Sequence, residues 1–161
     1  MKHITISEVG PRDGLQSVET TLSTEAKLAW IEAEYAAGVR EIEVGSFVSP
    51  KLLPQMADTE AVVRGAQHLE GLIIAVLVPN VRGFESALRA GAHKISIPLS
   101  LSETHSLKNV RRTHAQMLDE IRSCLKLVEA MPESEKPVFE VGLSTAFGCT
   151  LEGVVPESFV V

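Results

Sequence analysis

Arg12 and Asp13 stand side by side between Gly10 and Gly14, directly after the apolar pattern Ile4-Thr5-Ile6. The full stretch reads Glu8-Val9-Gly10-Pro11-Arg12-Asp13-Gly14-Leu15-Gln16. A guanidinium beside a carboxylate at the C-terminal end of a strand suits metal-assisted chemistry on an anionic intermediate. The carboxylate offers a hard oxygen ligand, and the guanidinium steadies developing negative charge. More polar residues fall where strands give way to loops. Glu43 and Ser46 close the second strand pattern, and Asn80 follows the third. Ser102, Glu103 and Asn109 follow the fourth, and Ser144 and Thr145 the fifth. Each alone has an ordinary reading: Asp13 closes a turn, Asn80 caps a helix, Glu43 pairs with Arg12. Gathered on one face of a parallel β/α structure, they favour a site.

The elements that must position these residues alternate in type. Strand patterns cover residues 4–9, 40–44, 72–78, 94–99 and 138–143, the third almost wholly apolar as in a strand buried on both faces. Between them lie helical patterns. One covers 24–37, with Leu28, Ile31 and Tyr35 at helical spacing and Gly38 as its stop; another covers 58–69, with Val62, Val63, Ala66 and Leu69 on one face. A third is capped by Asn80, carries Phe84 and Leu88, and stops at Gly91. Val110, Met117, Leu118, Ile121, Leu125 and Val128 predict one long amphipathic helix, opened by Lys108, Arg111 and Arg112. The tail from Pro156 reads as the first turn of a further helix.

This alternation predicts the α/β class, with a parallel sheet and helical crossovers. The sheet could be open and doubly wound, or part of a (β/α)8 barrel. A complete barrel of eight units takes about 250 residues. The 161 residues and five strands therefore amount to just over half of one. No Gly-x-Gly-x-x-Gly follows the first strand, which weakens the dinucleotide-binding alternative.

Composition is that of one globular domain, 45% hydrophobic and 22% charged. The net charge of −6 sets aside general binding to nucleic acid or acidic membranes. Two cysteines, Cys124 and Cys149, are too few for a disulfide framework; both read as neighbouring or core thiols. The N-terminus lacks a signal-peptide pattern and no apolar run reaches about 18 residues, so a soluble cytoplasmic protein is expected.

EVGPRDGLQ, followed by IEVGSFVSPKLLPQMAD, closely resembles the N-terminal half of the 3-hydroxy-3-methylglutaryl-CoA lyase family. VPNVRGFESALRAG, SETHSLKNV and VGLSTAFGCTLEG extend the match along essentially the whole chain. The resemblance implies a metal-dependent lyase on a TIM-type (β/α)8 barrel, here about its first five β/α units. Residues 1–161 are then the N-terminal part of a single barrel domain of the pyruvate carboxyltransferase type. The reaction it implies splits 3-hydroxy-3-methylglutaryl-CoA into acetyl-CoA and acetoacetate. The implied roles are Asp13 as ligand of a divalent cation, Mg²⁺ or Mn²⁺, and Arg12 as the group that stabilises the acetyl-CoA enolate. Glu43 matches a catalytic-site glutamate that organises either the metal's surroundings or Arg12. Gln16 and Ser46 match substrate-lining positions.

The family's metal site also uses a His-x-His pair and an asparagine from late strands, and its cysteine comes from a late glycine-rich loop. This chain has no His-x-His. His3, His68, His93, His105 and His114 are all isolated, and none is expected to be a ligand. Cys149 matches a different position from the family's cysteine. The expectation is a fragment with little activity of its own. Lys108, Arg111 and Arg112 could meet CoA phosphates. A solvated helix face is preferred, because cations at a helix N-terminus are misplaced without an anion. Two other readings stay open: a related enzyme cleaving or condensing a different acyl-CoA, and a non-catalytic half-barrel. A half-barrel has unpaired sheet edges and should associate with itself.

Overall fold

The computed structural model describes residues 4–161. Its five strands form one parallel sheet in the order β1-β2-β3-β4-β5, with β1 at Ser7–Glu8, β2 at Glu41–Ser46, β3 at Ile73–Leu77, β4 at Lys94–Ser100 and β5 at Val138–Ser144. The crossovers carry α1 (Thr24–Ala36), α2 (Thr59–Ala66), α3 (Val81–Ala90), α4 (Glu103–Asn109) and α5 (His114–Glu129). Sequential order with parallel neighbours is the winding of a β/α barrel, and these five strands make half of one.

Two-residue periodicity sets the two faces. Ile42, Val44, Ile74, Val76, Ile95 and Ile97 are all buried and form the core with the helices. From the helix side, Val62 and Val63 of α2, Phe84 and Ala87 of α3, and Met117 of α5 complete it. Phe84 meets Phe139 of β5 edge-on at 5.0 Å. The alternate positions Glu41, Glu43, Lys94 and Ser96 fall on the inner face and line one cavity there.

Most boundaries fall within two or three residues of the expectation, with two departures. The first strand is only Ser7–Glu8, and Ile4 and Ile6 are exposed. The second departure is the long helix, which is two helices. Val110 follows α4, Arg111 takes a left-handed φ of 56°, and Thr113 starts α5 with a full capping box to Gln116. An apolar period of 3.6 runs straight across this break, so hydrophobicity alone could not reveal it. Thr113-x-x-Gln116 is the local signal that marks it. Lys108 therefore lies in the last turn of α4 rather than opening a long helix. The tail forms a single short turn at Glu157–Phe159. His3 lies outside the described residues. No helix among those described is long and apolar enough to cross a membrane.

Candidate active site

The chain leaves β1 through a wide helical turn at Gly10–Gly14. The carbonyl of Val9 accepts from the amides of Arg12 at 3.1 Å and Asp13 at 2.7 Å. The Glu8 carboxylate accepts from the Gly10 amide at 2.7 Å. A Cβ at Gly10 would lie 2.8 Å from that carboxylate and 3.0 Å from the Trp30 ring, so close approach demands glycine there. Buried Pro11, with its fixed φ, starts the turn. These features aim Arg12 and Asp13 from one rigid corner.

Arg12 reaches inward. Its Nε and Nη2 both engage Oε2 of Glu43 on β2, and the pair is nearly buried, with side chains 14% and 8% exposed. Glu43 Oε1 accepts from Ser96 Oγ on β4 at 3.2 Å. Two strands, β2 and β4, thus fix one guanidinium. Arg12 Nη1 also donates to Asp13 Oδ1 at 2.8 Å, and Gln16 Nε2 donates to the same oxygen at 3.0 Å. Asp13 itself is open to solvent, its side chain 58% exposed. Deeper on the inner face, Lys94 bridges Glu41 at 3.0 Å and Glu140 at 2.8 Å. Those carboxylates, Glu140 foremost, hold the Lys94 ammonium above its ordinary pKa against the opposing effect of burial.

A cleft of about 840 Å³ opens at the C-terminal ends of the strands. Arg12, Asp13 and Gln16 form one side, Ser49, Leu52 and Leu53 another, and Asn80, Lys108 and Arg111 the rim. Arg12 also borders the inner-face cavity with Glu43 and Ser96. The structure therefore brings Arg12, Asp13, Gln16 and Glu43 together. It places Ser46 elsewhere: fully buried, its hydroxyl without a partner among the described residues, bordering an adjoining cavity with Asn80 and Arg82.

Lys108 and Arg111 are solvent-exposed, in keeping with the expected solvated face, and both also border the cleft. Lys108 closes a helix, where a cation is well placed, so the electrostatic objection falls away. Arg112 instead points to Glu120, at 3.6 Å. Sequence reasoning missed Ser96, Lys94, Glu41 and Glu140. The available signal was Glu-x-Glu in β2 and Lys-x-Ser in β4, polar side chains two apart on one strand face.

Residues 3–161 match the HMGL-like family model. The chain belongs to the HMGL-like family. It is 39% identical over 155 residues to hydroxymethylglutaryl-CoA lyase YngG of Bacillus subtilis, covering 96% of this chain and 50% of that protein. It is 38% identical over 154 residues to the human mitochondrial hydroxymethylglutaryl-CoA lyase, covering 96% and 46%. Solved structures agree. The B. subtilis HMG-CoA lyase superposes with a TM-score of 0.90 at 37% identity, over 100% of this chain and 53% of that one. An HMG-CoA lyase from Acinetobacter baumannii, in complex with coenzyme A and 3-methylmalate, gives 0.89 at 36% identity over 97% and 50%. The chain thus spans about half the length of the relatives it matches.

In this HMGL-like half-barrel, Asp13 Oδ1 is committed to Arg12 and Gln16, while Oδ2 has no hydrogen-bond donor among the described residues. An exposed carboxylate with a free oxygen fits one ligand of a hard cation. Among the described residues no three His, Cys, Asp or Glu side chains gather as a metal-holding group. His68, His93, His105 and His114 do not border the cleft. His93 accepts from the Ile74 amide at 3.1 Å, beside the N-terminal end of β4. Burial pushes the Cys124 thiol up to about 12, leaving it inert in the core. Cys149 is lowered by hydrogen bonds from Ser102 and the Leu151 amide, but it lies outside the cleft.

Proposed function

We propose that this chain supplies the enolate-stabilising half of an active site that cleaves 3-hydroxy-3-methylglutaryl-CoA to acetyl-CoA and acetoacetate. The observation that carries the reading is Arg12, clamped by Glu43, itself held by the Ser96 hydroxyl, and bordering the cleft beside Asp13. In this cleavage the substrate's 3-hydroxyl loses its proton, the C2–C3 bond breaks, and the electron pair moves onto the departing thioester as an enolate. Arg12 is always charged and held in place before the bond breaks. Its donors meet that negative charge without reorganising, which lowers the barrier. Glu43 acts through Arg12, fixing its plane. Gln16 orients Asp13.

Asp13 would hold a divalent cation, Mg²⁺ or Mn²⁺, which as a Lewis acid favours ionisation of a bound hydroxyl. One carboxylate binds such an ion weakly, so the chain by itself has little activity and the remaining ligands come from outside these residues. Lys108 and Arg111 at the rim suit the phosphates of a CoA thioester. The relative solved with coenzyme A supports that substrate class. A cytoplasmic location belongs to the same reading; self-association through the edges of β1 and β5, unpaired among the described residues, belongs to the alternative of a half-barrel that stands alone.

The test is cleavage of 3-hydroxy-3-methylglutaryl-CoA by the chain joined to the remaining barrel units, with the Arg12→Gln variant beside it. Metal-dependent release of acetoacetate that the variant loses bears the proposal out. Equal turnover by both proteins ends it.

A further inference from the structure

Lys27 is a fully buried charged side chain, 2% exposed, and takes no part in the Arg12 constellation. It rises from α1 to the far end of the loop joining β2 to α2. Its Nζ pairs with Asp58 and donates to the Gln55 carbonyl. Thr24 Oγ1, also on α1, donates to the other Asp58 oxygen at 2.7 Å. Asp58 flanks the start of α2, yet its carboxylate makes no capping bond there, being committed to α1. Gln55 turns its own amide to the Val18 carbonyl.

Burying an ammonium is costly, and an apolar pair of similar volume usually stabilises as well or better. Stability alone therefore does not account for Lys27. What it holds does. Val48, Ser49, Leu52 and Leu53 of this loop form one wall of the cleft. The near end of the loop is fixed by the Phe47 amide on the Leu77 carbonyl at 2.9 Å. Leu52 on the loop is largely exposed, so packing holds little of the middle. The far end is held by buried Met56, by the Thr59 hydroxyl donating to the Met56 carbonyl at 2.8 Å, and by Lys27, which ties it to α1; through Gln55 the Lys27 anchor reaches Val18, next to the Asp13–Ser17 wall.

We propose that Lys27 is a positioning residue: its buried ammonium fastens the β2–α2 loop so that the wall carrying Ser49, Leu52 and Leu53 stands against Asp13 and Gln16. Its effect on ligand binding rests on the reading of this cleft as a CoA-thioester site; its effect on the loop does not.

Hydrogen exchange and coenzyme A binding are compared in the full chain, in Lys27→Met, and in Lys27→Met/Asp58→Leu. The double variant removes both charges and keeps the packing volume. Exchange of the amides of residues 51–57 rises at least tenfold in both variants, while β3 and α3 stay protected in the double variant, whose melting temperature stays near the parent's. Coenzyme A binds severalfold more weakly to both. Asp58→Asn, a mild change, gives a smaller rise in the same place. The proposal is overturned if the double variant regains parental exchange in the loop along with parental stability, which would make Lys27 a packing residue only. Parental loop exchange in Asp58→Asn overturns it as well. A loosened loop with no coenzyme A binding even by the parent keeps the anchor and removes the CoA reading.

Discussion

Two nitrogens of the Arg12 guanidinium converge on a single oxygen of Glu43, a residue 31 positions later in the chain. This contact joins the turn after β1 to the inner face of β2. It leaves Nη1 for Asp13 and sets the plane in which Arg12 meets a ligand.

Replacing Glu43 by Gln removes the charge but nearly keeps the shape. Arg12 is then left mostly buried and only weakly paired. We expect a loss of about 2–4 kcal/mol in stability, read by thermal or denaturant unfolding. In the completed enzyme we expect at least a hundredfold fall in kcat with a smaller change in KM, because the lost interaction matters when charge develops. A full fall in KM affinity with kcat preserved would contradict this role for the pair.

Asp13→Ala separates the second carboxylate from the first. Its side chain is 58% exposed and its ion pair with Arg12 is a surface one, so stability should move by no more than about 1 kcal/mol. Titration of the completed enzyme with Mn²⁺ should nevertheless show at least tenfold weaker binding. An unchanged titration would show that Asp13 is not a ligand. Arg12→Gln is the control, expected to lower kcat while the metal still binds.

Arg111 holds a φ of 56° at the rim of the cleft, a conformation that costs most side chains about 1 kcal/mol. Arg111→Gly should relieve that strain and raise the melting temperature slightly. Coenzyme A affinity should drop severalfold in the same variant. Calorimetry showing equal affinity in both proteins would make the residue a strained linker and nothing more.

Lys94 gives a prediction at alkaline pH. Its folded-state pKa is raised above the ordinary 10.5 by Glu140 and Glu41. The stabilisation is therefore complete below pH 10.5 and is lost as pH rises through the higher folded-state value. The melting-temperature gap between the parent and Lys94→Met should stay constant from neutral pH up to about 10 and narrow beyond it. A gap that narrows well below pH 10 would mean the ion pairs contribute little.

The class of fold and the corner holding Arg12 and Asp13 were legible in the amino-acid sequence. Strands alternating with helices at these spacings admit a parallel winding, and Gly10-Pro11-Arg12-Asp13-Gly14 announces a tight polar corner after β1. Both are local, because periodicity and turn chemistry act over a few residues. Cap chemistry was equally local: Asn80 and Gly91 bracket α3 as read.

What Arg12 touches depends on how the strands pack side by side. Glu43 was legible as a partner for Arg12, but Ser96 was not, since strand register alone brings β4 beside them. The same holds for Ser46, whose place depends on a register shift between Glu43 and Gly45. A bulge of that kind redirects the residues after it and leaves no mark in the hydrophobic pattern. Lys108 and Arg111 came to the cleft because the chain breaks at Arg111, where a continuous apolar stripe predicts no break. In the sequence Lys27 is one charged position on a helix. Its burial becomes visible only when α1 and the loop before α2 are packed together, because desolvation and pairing belong to the assembled fold.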